Sequence, residues 1–61
     1  MMKEGEVYTV SHIAIDGTVV QDQEATVTKD KAGNLMLLIM KPVAMLLGES
    51  IKITPGGLAK E

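Results

Sequence analysis

Apolar and polar positions divide the chain into four β-prone stretches separated by breaks that contain Gly or Pro. Residues 6–15 (EVYTVSHIAI) are rich in Val, Ile, Thr and Tyr, side chains that suit a pleated surface. Asp16-Gly17 follows, and residues 18–29 (TVVQDQEATVTK) read as the returning strand. Asp-Gly between two such runs predicts a hairpin with a two-residue type I′ turn, which needs positive φ at both central residues. The wholly polar segment 21–24 (QDQE) inside the returning strand predicts a β-bulge or a solvent-facing stretch. Asp30-Lys31-Ala32-Gly33 has the residues of a second turn, with Asp to open it and Gly to close it.

The third stretch differs from the others. Leu35-Met36-Leu37-Leu38-Ile39-Met40 is apolar throughout and does not alternate. The tight turn before it favours a strand over residues 34–41, ended by Pro42, which has no N–H for a ladder. Leu and Met are good helix formers, so a two-turn helix capped by Asn34 is the alternative. Residues 42–48 place Pro just inside a start and Gly just past an end, the layout of one short helix. Residues 50–54 (SIKIT) alternate and read as a short fourth strand, with residues 54–61 expected as a flexible tail. The fold class expected is mainly β. It is a single small domain over residues 1–61, an antiparallel sheet of three or four strands with one short helix.

The two turns set expected registers. A two-residue first loop pairs Tyr8 with Ala25, His12 with Gln21 and Ile13 with Val20. A four-residue second loop pairs Ala25 with Leu38 and Val27 with Met36. Because side chains alternate across a strand, Tyr8, Val10, His12, Ala25, Val27, Met36 and Leu38 then share one face. Leu35, Leu37 and Ile39 fall on the other with Val7, Thr26 and Thr28. Neither face is polar, and the third strand is apolar on both faces in any register. Burying all six residues of the run would contribute on the order of 10 kcal/mol before entropy, comparable to a domain's whole net stability. A meander leaves this strand at a sheet edge, where a flat apolar strand is an aggregation hazard. The fold is therefore expected to be completed by homo-oligomerisation, a dimer or higher, with Leu35, Leu37 and Ile39 at the interface.

Composition strengthens that expectation. A chain of 61 residues buries only ~60% of the surface its unfolded form exposes, and such scaffolds usually add a disulfide, a metal or a partner. With no Cys and a single His, neither a disulfide nor a multi-histidine metal site can be assembled within one chain. No metal or other cofactor is expected. Tyr8 is the only aromatic residue, so the core must be aliphatic. The net charge is −2 and every basic residue is Lys. Without the planar, bidentate fork of Arg, a basic cluster or an aromatic platform, nucleic-acid binding lacks its usual supports. The start of the chain is charged with no apolar run behind it, and the longest apolar region is cut by Lys41 and Pro42. Neither a signal peptide nor a membrane span is read, and a cytoplasmic location is expected.

Candidate chemistry is sparse. His12 lies mid-strand, opposite Gln21 rather than an acid, which leaves it without the orienting carboxylate a general base needs. Asp22 and Glu24 share a face, but two carboxylates do not make a cation site. Tyr8, His12, Gln21 and Gln23 fall on one face and are the candidate binding residues, through amide, phenol and imidazole hydrogen bonds. Met36, Met40 and Met45 supply adaptable apolar surface of the kind used at interfaces. Pro55-Gly56-Gly57 lacks the following helix and the Lys-Ser/Thr pair of a phosphate loop. No nucleophile triad can be assembled, and an enzyme is not expected.

Leu46-Leu47-Gly48 followed by Glu49-Ser50-Ile51-Lys52-Ile53 resembles the helix-end-then-strand of swapped-hairpin antitoxin and transition-state-regulator domains. The resemblance implies a small obligate dimer that binds DNA. This chain departs from it in lacking the basic strand-and-loop residues such domains use on DNA. Three function classes follow. The first is a non-catalytic protein-interaction module, a small homo-oligomeric accessory or inhibitory protein docking on another protein. The second is a nucleic-acid-binding regulator of the swapped-hairpin kind, which requires Lys29, Lys31, Lys41 and Lys52 to converge. The third is a small-ligand-binding oligomer.

Overall fold

A computed structural model describes residues 2–58. Four strands, β1 (Val7–Ile13), β2 (Val19–Lys29), β3 (Leu35–Ile39) and β4 (Ser50–Pro55), form one antiparallel sheet in the order β3-β2-β1-β4. The third apolar run is a strand, as the tight turn before it predicts. The expected short helix over residues 42–48 is absent. Its physical reason lies in the topology. β3 and β4 occupy opposite edges, so residues 40–49 must cross two intervening strands, three interstrand spacings or ~14 Å. Seven helical residues would span only ~10 Å, and so short a helix does not offset its own nucleation. The segment instead crosses as extended chain and closes with a single turn, where Glu49 N–H donates to the Leu46 carbonyl (3.1 Å).

Both hairpins use one device, and it is not the expected one. In the first, Ala14 N–H donates to the Thr18 carbonyl and Gly17 N–H to the Ala14 carbonyl. In the second, Asp30 N–H donates to Asn34 and Gly33 N–H to Asp30 in the same pattern. Each is a three-residue loop whose last residue alone, Gly17 (φ 90°) or Gly33 (φ 88°), has positive φ. A type I′ turn would require positive φ at Asp16, which is not observed. Asp16 and Asp30 hold these loops through their carboxylates: Asp16 accepts from Thr18 and Asp30 from Ala32 and Asn34. Side-chain oxygens that mimic a backbone turn make a three-residue loop the better solution in both hairpins.

The loop length has different consequences in the two hairpins. In the first, a bulge between His12 and Ile13 absorbs the extra residue. Ile13 pairs with Val19 instead of Val20, but Tyr8↔Ala25 and His12↔Gln21 stand as predicted. In the second the loop is one residue shorter than the expected four and nothing compensates, so β3 is shifted by one residue: Ala25 pairs with Ile39 and Val27 with Leu37. A one-residue slip exchanges the two faces of a strand. Leu35, Leu37 and Ile39 therefore lie on the same face as Val10, Ala25 and Val27, while Met36 and Leu38 lie on the other.

That shared inner face holds every buried side chain among the described residues: Val10, Ala25, Val27, His12 and Gln23. Residues 40–49 cross over it, while the outer face stays open. The strand expected to end at Thr54 runs on to Pro55, and the first residues of the expected tail are tied down. Gly56 N–H donates to Val7, Thr9 Oγ1 donates to the Gly56 carbonyl, and Leu58 N–H donates to Glu24 Oε2. Residues 59–61 of that tail lie outside the described residues.

Candidate functional site

The register gathers Tyr8, His12, Gln21 and Gln23 on the inner face, as the sequence predicts. Two of them are occupied by the crossing segment. If the β2–β3 ladder ran on, Gln23 would stand opposite Lys41. Instead its side-chain amide takes the place of a strand. Gln23 Nε2 donates to the Lys41 carbonyl (2.9 Å), and Lys41 N–H donates to Gln23 Oε1 (3.0 Å). This pins the start of the crossing segment over β2. Its far end is pinned over β1, where Glu49 Oε1 lies 2.7 Å from His12 Nε2 and also accepts the Leu46 N–H (2.9 Å). Among the described residues no buried side-chain polar atom lacks a partner.

Glu49 is the residue that strand pairing alone misses. Sequence places His12 opposite Gln21 and away from any acid; the acid arrives from the crossing segment, 37 residues later in the chain. The Leu46 N–H, and secondarily His12, hold the Glu49 carboxyl below the usual carboxylate range. The imidazole and carboxylate thus form a charge-assisted hydrogen bond that closes the inner face. Its partners are all structural: the turn at Leu46 on one side and β1 on the other.

Tyr8 is half-buried, and its hydroxyl donates to Glu6 Oε1 (3.4 Å). Desolvation, then the Glu6 charge, raises its phenol. Gln21 is exposed. No pocket forms among the described residues, around these four or elsewhere. Asp22 and Glu24 share the outer face. Glu24 is engaged by the Leu58 N–H, and Gly57 packs against its carboxylate, which a Cβ at residue 57 would displace. Among the described residues no group of three or more His, Cys, Asp or Glu is placed to hold a metal, and no helix is long and apolar enough to cross a membrane.

The lysines spread over the molecule. Lys29 and Lys31 stand at the β2–β3 hairpin, Lys41 follows the other end of β3, and Lys52 sits on β4 at the opposite edge. The helix end on which the swapped-hairpin resemblance rests is an irregular segment and a turn.

The apolar surface is what stands out. Among the described residues three apolar side chains are fully buried, while fifteen large ones are exposed. They include four of the five residues of β3 (Leu35, Met36, Leu38, Ile39), the crossing-segment residues Met45, Leu46 and Leu47, and Ile51 and Ile53 of β4. No family model matches this chain, and no curated protein and no solved structure matches it.

Proposed function

We propose that this chain is a non-catalytic protein-interaction module that works as a homo-oligomer. One observation carries the reading: β3, an apolar strand at the sheet edge, is exposed on both faces with no element of the described chain against its outer side. Exposed apolar surface of this extent marks association sites in small soluble proteins. The inner-face polar groups do not compete with this reading, since His12 and Gln23 are spent on holding residues 40–49. Leu35, Leu37 and Ile39 remain the interface residues, through their position on the edge strand and not through a separate face of their own.

Sedimentation equilibrium between about 1 and 100 μM tests the reading, the range in which complexes of 8 to 5 kcal/mol assemble. A mass at least twice that of the chain is expected. A folded monomer throughout the range would refute it.

A further inference from the structure

The backbone of β3 specifies how two copies would meet. Val27 N–H donates to the Glu6 carbonyl (2.9 Å), and the Val27 carbonyl accepts from Gly5 N–H (2.8 Å). Both bonding groups of Val27 thus point toward β1 and away from β3. In an antiparallel ladder such residues alternate with residues that bond the other neighbour. Val27↔Leu37, with its neighbours Ala25↔Ile39 and Lys29↔Leu35, is therefore a non-hydrogen-bonded pair. The bonded pairs are Thr28↔Met36 and Thr26↔Leu38, consistent with the Asp30–Asn34 bond two positions further on. It follows that the N–H and C=O of Leu35, Leu37 and Ile39 all point to the open edge.

Resting on the reading of a self-associating module, we infer that β3 pairs antiparallel with β3 of a second copy about a two-fold axis through Leu37, making one eight-stranded sheet.

Three observations select a second copy as the occupant. The outward positions 35, 37 and 39 are symmetric about 37, so Leu37 meets its own counterpart and Leu35 meets Ile39 twice. Every outward donor then finds an outward acceptor without a slip of register. The five residues carry no charge, so self-pairing places no like charges opposite each other. Self-pairing also sets Leu37 against Leu37 and Leu35 against Ile39 on the inner face, and Met36 against Leu38 on the outer, all apolar. The crossing segment does not obstruct the approach, because Gln23 draws it from Lys41 onward over the inner face.

Leu37→Pro tests the pairing. It deletes one N–H that no residue of the same chain uses, at the kind of outward edge position where Pro is tolerated. Two central bonds of the dimer are lost with it, and the dimer dissociation constant should rise roughly tenfold to a hundredfold, with the strand content unchanged by circular dichroism. Leu37→Lys and Leu37→Glu form the second arm: each alone should sediment as a monomer, and an equimolar mixture should restore the dimer, because residue 37 faces residue 37. If Leu37→Pro fails to fold, this arm decides. A wild-type oligomer of unchanged affinity in Leu37→Pro, or no rescue in the mixture, would overturn the β3 pairing while leaving self-association standing. A wild-type chain that is monomeric at every concentration would overturn both.

Discussion

The two edges of this sheet are built differently. β4 carries Lys52 in its middle and ends on Pro55. Gly56 N–H donates to Val7, so by the same alternation the outward positions of β4 are Ile51, Ile53 and Pro55, and the last has no N–H to offer. A lysine and a proline are common devices by which a sheet edge avoids further pairing. β3 has neither; its five residues are Leu, Met, Leu, Leu and Ile, and all three outward positions retain their donors. One molecule thus contains a guarded edge and an unguarded one. A partner is therefore to be sought at β3: exposed apolar side chains occur at both edges, but only β3 combines them with a full set of free backbone groups.

The largest effect on this comparison should come from freeing the segment that joins the two edges. Gln23→Ala leaves the Lys41 N–H and carbonyl without their partners. The expected cost is about 1–3 kcal/mol, and each kcal/mol lowers Tm by roughly 4–8 °C in a chain this small. Amide exchange should rise at Lys41, whose N–H loses its acceptor, and at Leu38, the last residue of β3 bonded to β2, more than in β4. Equal loss at β3 and β4 would show that the anchor does not serve the β3 edge in particular.

Exchanging the guards should change association more than stability. Leu38→Lys gives β3 a charge on its exposed outer face, and Lys52→Ile removes the charge from β4. Each should alter the unfolding free energy by about 0.5 kcal/mol or less, as is usual for exposed positions. Light scattering should show weaker self-association for Leu38→Lys and additional, open-ended association for Lys52→Ile. The same oligomer mass in both variants would remove the asymmetry as an explanation.

The smallest effect is acid sensitivity, which separates the approaches to the two edges. Glu49, just before β4, is held below its ordinary value of 4.5 by the Leu46 N–H and His12. Asp30, just before β3, is held below 3.8 by Asn34. A carboxyl depressed in the folded state adds stability that is present above its unfolded value and is lost as pH falls through the folded one. Stability should therefore decline as pH drops below about 4.5, first through Glu49 and then through Asp30 and Asp16. Chemical denaturation from pH 6 to pH 3 should show this decline, and Glu49→Gln should shallow its upper part. An unchanged pH profile in Glu49→Gln would show that the carboxylate's charge does not hold the crossing segment.

Much of the site was legible and part was not, for one reason. His12 and Gln23 share a face with Tyr8 because β1 and β2 are joined by a short hairpin, and local registers are set by local turns. Their partners, Glu49 and Lys41, belong to a segment whose path depends on β4 pairing with β1 rather than with β3. No pattern within residues 40–49 expresses that choice. The segment's Pro and Gly suggested a helix because they are equally at home at the ends of an extended crossing.

The order of residues is enough to say where the strands run, about where they stop, and that β3 is apolar on both faces. These are consequences of side-chain type, of Gly at positive φ and of the missing N–H of proline, all paid within a few residues. Tertiary structure alone decided which face of β3 turns inward, which edge β4 joins, and what His12 and Gln23 bind. Each of those turns on a difference of one residue in a loop or on contacts between distant parts of the chain. The carboxylates of Asp16 and Asp30 favour three-residue loops, a bulge absorbs the one-residue difference in the first hairpin, and the uncompensated difference in the second brings Leu35, Leu37 and Ile39 to the core side with their backbone groups facing the open edge.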